Sequence, residues 1–272
     1  MDKIIIEPIT SMKNAFSVAG QNVVITGGNR GLGRGIAQAF AECGANVAIL
    51  CRNEASGNEA AEQLRLLGSR AIAVKCDVGD FDSVLRAKEV VASEFDHIDT
   101  LVNNAGIDGK HGVFDDARLE EFKRVMNVNL DGVAAMIQVF GQWMMDEGRG
   151  GEIINISSIG GQAIGDPRSH PMPSYNASKA ALDHLTRHLA IVMGDYGIRV
   201  NSIAPGPTHS DLDAGLPPSI TEFIDVTMPM HRFGEPLEIG ALAVFLSSPA
   251  AAQITGVVAN HDGGTMCVGL TF

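Results

Sequence analysis

Short apolar runs alternate with longer amphipathic stretches along nearly the whole chain. NVVIT (22–26), NVAIL (46–50), AIAVKC (71–76), TLVNNA (100–105), EIINIS (152–157), RVNSIAP (199–205) and GVVAN (256–260) are short and apolar. Most are rich in β-branched residues and apolar on successive positions, so both faces of each strand would be buried, as in a parallel sheet. Between them, apolar residues recur at helical spacing over about 32–43, 55–67, 80–95, 118–147, 175–194 and 235–247. Strand–helix alternation of this kind predicts a doubly wound, mostly parallel, seven-stranded α/β sheet with helices on both faces. No linker or low-complexity tract interrupts it, so residues 1–272 read as a single domain. Residues 1–20 form an arm before the first strand, and residues 207–230, proline-bearing and weakly periodic, read as a lid over a substrate.

Composition narrows the function classes. The 272 residues are 45% hydrophobic, enough for a sizeable core. A net charge of -12 argues against nucleic acid or an anionic membrane as the main partner. No segment approaches the roughly 18 apolar residues of a membrane span, and the N-terminus lacks a signal-peptide core, so a cytoplasmic protein is expected. Cys43, Cys51, Cys76 and Cys267 form no C-x-x-C pair and read as small core residues. The eight histidines show no metal-ligand spacing, so no metal is expected.

The first strand runs straight into Thr26-Gly27-Gly28-Asn29-Arg30-Gly31-Leu32-Gly33 and then a helix. Strand, glycine turn and helix N-terminus together suit a pyrophosphate. Gly27 suits a sharp turn, Gly31 a close backbone approach, and Gly33 tight helix–strand packing. The second strand ends at Cys51-Arg52. A carboxylate here would accept from a ribose 2′-hydroxyl; a guanidinium suits a 2′-phosphate instead. With Arg30 nearby, NADP(H) is favoured over NAD(H).

Further along come Asp77-Val78 after the third strand and Asn103-Asn104-Ala105-Gly106 after the fourth. Asn129 follows in VNVNLDG, Ser158 in NISSIGG, then Tyr175 and Lys179 in SYNASK, and Pro205-Gly206. This ordered set, with the glycine loop, resembles the short-chain dehydrogenase/reductase family over roughly residues 20–264. The resemblance implies a single-domain Rossmann-type enzyme with a Tyr-x-x-x-Lys centre. Tyr175 would exchange a proton with the substrate oxygen. Lys179 would bind the nicotinamide ribose and lower the tyrosine pKa, and Ser158 would hold the substrate oxygen. Asn129 would hold a water behind Lys179. Asp77 and Val78 would meet the adenine, and Asn104, Ala105 and Gly106 would cover its ribose. The backbone of Pro205, Gly206 and Thr208 and the Ser210 hydroxyl would meet the carboxamide or phosphate. Asn29, Arg30 and Leu32 complete the phosphate loop.

Ser157 and Ser158 compete for the serine role, and the family pattern favours Ser158. The spacing from Ser158 to Tyr175 exceeds the family's usual one. The surplus lies in GQAIGDPRSHPMP, which reads as a loop over the substrate; Arg168 and His170 lie in it. The expected function is an NADP(H)-dependent interconversion of a secondary alcohol and a ketone, with a polyol/ketose pair or another small polar carbonyl as substrate. A 3-oxoacyl thioester reductase is the alternative within the same class, and a non-catalytic dinucleotide sensor the alternative outside it. The resemblance further implies a homotetramer or homodimer.

Overall fold

The computed structural model describes residues 3–164, 172–209 and 221–268. Seven strands form one sheet: β1 (Asn22–Thr26), β2 (Asn46–Cys51), β3 (Ala71–Lys75), β4 (Thr100–Asn103), β5 (Gly151–Ile156), β6 (Ile198–Pro205) and β7 (Val258–His261). Their order is β3-β2-β1-β4-β5-β6-β7, and every neighbouring pair is parallel. The order reverses between β1 and β4, which opens a crevice at the carboxyl edge of the sheet.

Alternation along each strand sends successive side chains to opposite faces. Val23 and Ile25 join a core with Ile36 and Phe40 of α1 (Gly31–Glu42), Leu64 of α2 (Glu54–Leu66) and Ile239 of α8 (Pro236–Ser247). Val24 and Leu101 join the opposite core, with Val91 of α3 (Phe81–Glu94) and Leu182 of α7 (Pro173–Gly194). The same opposite core takes Met136 of α5 (Gly132–Met136) and Trp143 of α6 (Gln142–Glu147). Two apolar faces on every central strand are why the apolar runs lack a polar side.

The helix expected over 118–147 begins later. Arg118 and Leu119 are left-handed, with φ of 58° and 57°, and α4 (Glu120–Met126) starts after them. Asp116 explains the start: its carboxylate accepts from the backbone N–H of Glu121 (3.1 Å) and Phe122 (2.8 Å). Two π turns, Asn127–Asp131 and Ile137–Gly141, link α4 to α5 and α5 to α6. The first of them carries Asn129 into the interior.

The N-terminal arm runs along the far edge. Ile4 donates to the Asp195 carbonyl at 3.1 Å, and Lys3 pairs with the Asp195 carboxylate at 2.8 Å. Of the lid expected at 207–230, residues 210–220 lie outside the described residues, as does 165–171 of the loop before Tyr175. No helix among the described residues is long and apolar enough to cross a membrane.

Candidate active site

The glycine loop forms because backbone conformation or packing favours glycine at three positions. Gly27 (φ 67°) and Gly31 (φ 51°) are left-handed. A Cβ on Gly33 would overlap the Gly27 carbonyl and Asn104 Nδ2. At Gly31 a Cβ would meet no protein atom within 4 Å, so the loop leaves open space on that side. Arg30 caps α1 through extended backbone and makes no side-chain cap. The first N–H groups of α1 therefore face that opening.

Thr26 ties this loop to the end of β4. Its hydroxyl accepts from the N–H of both Asn104 and Ala105, each at 3.0 Å, and Asn104 Nδ2 donates back to the Thr26 carbonyl at 2.9 Å. Thr26 was not singled out from the sequence, because its role depends on β4 lying beside β1. Asn29 also turns inward, donating to Ser56 Oγ at 2.8 Å and joining the loop to α2.

At the end of β2 the Cys51 thiol is buried and donates to the Asn53 carbonyl at 3.2 Å. Burial holds it above the ordinary thiol range, so it is uncharged at neutral pH. Arg52 and Arg30 are exposed, and neither side chain has a hydrogen bond or ion pair among the described residues. A neutral strand end with two unpaired guanidinium groups fits a bound anion better than a ribose hydroxyl. Asp77 is partly buried, its carboxylate accepting from Gly79 N–H at 3.0 Å. The neighbouring Val78 is buried, and a Cβ on Gly132 would come within 2.9 Å of its side chain.

Tyr175 and Lys179 lie one turn apart on α7. The Ser158 side chain lies close enough to the Tyr175 hydroxyl to lower its pKa, and its Oγ accepts from Gly160 N–H at 3.0 Å. Ser157 points elsewhere: its hydroxyl donates to the Lys179 carbonyl at 3.3 Å. Of the two candidate serines, then, Ser158 is the one brought to Tyr175. Lys179 Nζ lies 5.5 Å from the Tyr175 ring centroid and donates to the Ile156 carbonyl at 2.7 Å. Two more ammonium protons remain for a ligand. Asn129 spends its side chain on protein. Nδ2 donates to the Ile107 carbonyl (2.8 Å) and Ser178 Oγ (3.1 Å), and Oδ1 accepts from Ile107 N–H (2.8 Å). Of its side-chain sites, the second lone pair of Oδ1 is left for a water.

The electrostatics differ from the expected pattern. Burial pushes the Tyr175 hydroxyl above its ordinary value; Ser158 pulls it down and the Asp108 carboxylate pushes it up. Burial pulls Lys179 down to about 8, with Asp183 pushing back. Lys179 loses its own proton at about 8, below the raised Tyr175 value, so in the protein alone it is already neutral where Tyr175 would ionise. Asp183 is itself buried, one turn beyond Lys179, and accepts from Ser202 Oγ at 3.0 Å.

At the end of β6, Gly206 N–H donates to the His261 carbonyl at 3.0 Å, and Thr208 Oγ1 donates to the Gly206 carbonyl at 3.0 Å. Gly234 N–H donates to the Pro207 carbonyl at 2.9 Å, so the chain after Pro205 is bridged to the turn before α8. Ser210, Arg168 and His170 lie outside the described residues. A cavity of about 340 Å³ is lined by Pro207, Met228, Arg232, Glu238, His261 and Asp262. Neither Tyr175 nor Lys179 borders it. Among the described residues, no cluster of His, Cys, Asp or Glu could hold a metal ion.

A parallel sheet in this order, with helices on both faces and a glycine turn at the switch point, defines a Rossmann-type α/β protein. Residues 27–266 match a family model described as enoyl-(acyl carrier protein) reductase. Galactitol 2-dehydrogenase of Rhizobium johnstonii is 36% identical over 264 residues, covering 94% of this chain and 99% of that one. L-rhamnose 1-dehydrogenase (NAD(P)(+)) of a Sphingomonas species is 34% identical over 248 residues, covering 90% and 96%. The solved structure of 7α-hydroxysteroid dehydrogenase complexed with NADH and 7-oxo glycochenodeoxycholic acid superposes with a TM-score of 0.87. It is 32% identical, with 94% of this chain and 98% of that chain covered. The chain belongs to the short-chain dehydrogenase/reductase family and is an oxidoreductase acting on CH–OH groups.

Proposed function

We propose that the protein interconverts a secondary alcohol and a ketone with NADP(H), and that its substrate is a polyol/ketose pair or another small polar carbonyl. The observation that carries the reaction type is the Tyr175 ring centred 5.5 Å from the buried Lys179 ammonium, with Ser158 beside its hydroxyl. When bound, the nicotinamide takes up or releases the hydride. Tyr175 passes the proton to or from the substrate oxygen, and Ser158 orients that oxygen. Lys179 offers its remaining ammonium protons to ribose hydroxyls. The open side of Gly31 and the N–H groups of α1 would take the pyrophosphate, and Asp77 and the Asn104–Gly106 turn the adenosine half.

The preference for NADP(H) rests on Arg52 and Arg30, exposed and unpaired beside a neutral Cys51. The polyol reading draws on the two sugar-alcohol and sugar dehydrogenases above, the first of them named for galactitol. A homotetramer or homodimer fits the exposed Ile191 and Val192 on α7. A cytoplasmic setting fits two buried free thiols, Cys51 and Cys76.

The test is a panel of polyols, ketoses, simple ketones and 3-oxoacyl thioesters with both cofactors, followed by the absorbance of the reduced nicotinamide. Turnover of a polyol or ketose with NADP(H) supports the reading. Turnover of thioesters alone favours a 3-oxoacyl reductase. Tight cofactor binding with no turnover across the panel favours a sensor. Arg52→Ala should lower the NADPH-to-NADH efficiency ratio by roughly tenfold or more. An unchanged ratio would remove Arg52 from cofactor selection.

A further inference from the structure

The chain between β4 and α4 lies along the start of α7, and contacts on either side of Tyr175 place it there. Gly106 faces Lys179: a Cβ on it would be 3.7 Å from Lys179 Nζ and 3.3 Å from Asn129 Oδ1. Gly109 faces the residue before Tyr175: a Cβ on it would run into Ser174 Oγ. Asp108 sits between these two contacts, and so beside Tyr175.

Both flanks of Asp108 are pinned. Asn129 grips the Ile107 backbone through two hydrogen bonds of 2.8 Å. Glu121 accepts from Lys110 N–H at 2.7 Å and His111 N–H at 2.8 Å. Glu121 is in turn held on α4, whose first turn Asp116 caps. Asp108 itself is exposed, and its carboxylate has no hydrogen bond or ion pair among the described residues. A charged group left unpaired on a loop clamped at both ends, beside the reacting hydroxyl, is pre-organised to receive a ligand. The field of Asp108 at the Tyr175 hydroxyl, pushing its pKa up, is independent support for the proximity.

We propose that Asp108 selects the substrate: it accepts hydrogen bonds from hydroxyls next to the reacting carbon of a neutral polyol or ketose and repels substrates carrying an anionic group. This rests on the polyol reading above. An ionised carboxylate only accepts, and its two oxygens can take two hydroxyl donors at once. A polyol carries such donors on both carbons adjoining the carbinol; a monofunctional alcohol carries none. A sugar acid would place a second carboxylate near Asp108, where like charges are costly.

The experiment compares full-length wild-type protein with Asp108→Ala and Asp108→Asn, using galactitol, gluconate and cyclohexanol with oxidised cofactor. Asp108 is exposed, so both variants should fold. Asp108→Ala should lower the galactitol-to-cyclohexanol ratio of kcat/KM about tenfold or more, chiefly through the galactitol KM. Asp108→Asn should raise the gluconate-to-galactitol ratio about tenfold. If cyclohexanol is not turned over, that ratio alone decides. Equal losses on all substrates, or no change in the ratio, would overturn the role of Asp108. A wild-type protein that turns over other alcohols but no polyol or ketose would overturn the substrate reading itself, and the role of Asp108 with it. That outcome is visible before any variant is measured.

Discussion

Gly33→Ala and Gly31→Ala should fail in different ways, and the difference tests what the glycine loop is for. At Gly33 the added Cβ would lie 2.9 Å from the Gly27 carbonyl carbon, and closer still to its oxygen and to Asn104 Nδ2. Neither neighbour is the free end of a flexible side chain. The Gly27 atoms are backbone, and Asn104 Nδ2 is committed to the Thr26 carbonyl at 2.9 Å. Relief requires α1 and the loop to separate, an overpacking cost of about 1–3 kcal/mol. It also strains or breaks the Asn104 bond, worth about 1 kcal/mol. A stability loss of about 2–4 kcal/mol is therefore expected for Gly33→Ala. At Gly31 the Cβ would meet nothing within 4 Å, and only its φ of 51° opposes a side chain. That costs about 1–2 kcal/mol. The new methyl would, however, stand in the space proposed for the pyrophosphate. Urea unfolding of both variants, with cofactor titrated by fluorescence, separates the two effects. Gly31→Ala should keep most of its stability and lose at least about tenfold in cofactor affinity, the cost of displacing a charged ligand from its N–H donors. Normal cofactor binding by Gly31→Ala would refute the assignment of the open side to the ligand. Wild-type stability of Gly33→Ala would refute the packing argument.

Other consequences follow from the same geometry. Thr26→Val leaves the Asn104 and Ala105 N–H groups without their acceptor and should cost about 2–5 kcal/mol in denaturant unfolding, whereas Thr26→Ser should stay within about 1 kcal/mol. Tyr175→Phe should lower kcat about 10²–10⁴-fold with little change in cofactor affinity, and near-normal turnover would sink the proposed proton transfer. Lys179 loses its proton at about 8 in the folded chain, against 10.5 as its ordinary value. The unfolded chain binds the extra proton between those values, so this group makes the protein more stable as pH rises from about 8 to 10.5, and its burial cost is fully present below 8. That cost is about 3 kcal/mol, and removing the ammonium would leave the Ile156 carbonyl without its donor, at about 1–3 kcal/mol. Lys179→Met should thus be inactive yet close to wild type in stability at neutral pH, with a smaller gain on raising the pH. A loss of several kcal/mol at neutral pH would contradict this balance.

The fold was legible because its signals are local. Apolar runs without a polar side marked buried parallel strands, and the helical periods between them marked the crossovers. The glycines of the phosphate loop were legible for the same reason: a left-handed φ at Gly27 and Gly31 and a missing Cβ at Gly33 restrict residue type directly. Tyr175 and Lys179, one turn apart on a helix, were recognisable as a spacing. The late start of α4 was less so. The periodic pattern runs on through Arg118 and Leu119, but the Asp116 carboxylate captures the N–H groups of Glu121 and Phe122 and sets the helix start beyond them.

What the sequence by itself determined is the strand and helix order and the glycine loop, together with the candidate residues for proton exchange and dinucleotide binding. Which residues act on one another was decided by tertiary structure. Thr26 matters because β4 lies beside β1, and no local pattern states that neighbour. Ser158 rather than Ser157 meets Tyr175 because the chain turns immediately after β5. The charge states of Tyr175 and Lys179 depend on how much water the packed sheet and helices remove, and burial here opposes the shift expected from their spacing. Asp108 carries no motif at all; hydrogen bonds from Asn129 and Glu121 to the backbone on either side of it hold it beside Tyr175. Desolvation and long-range contact are properties of the packed chain, so a residue-by-residue pattern contains neither.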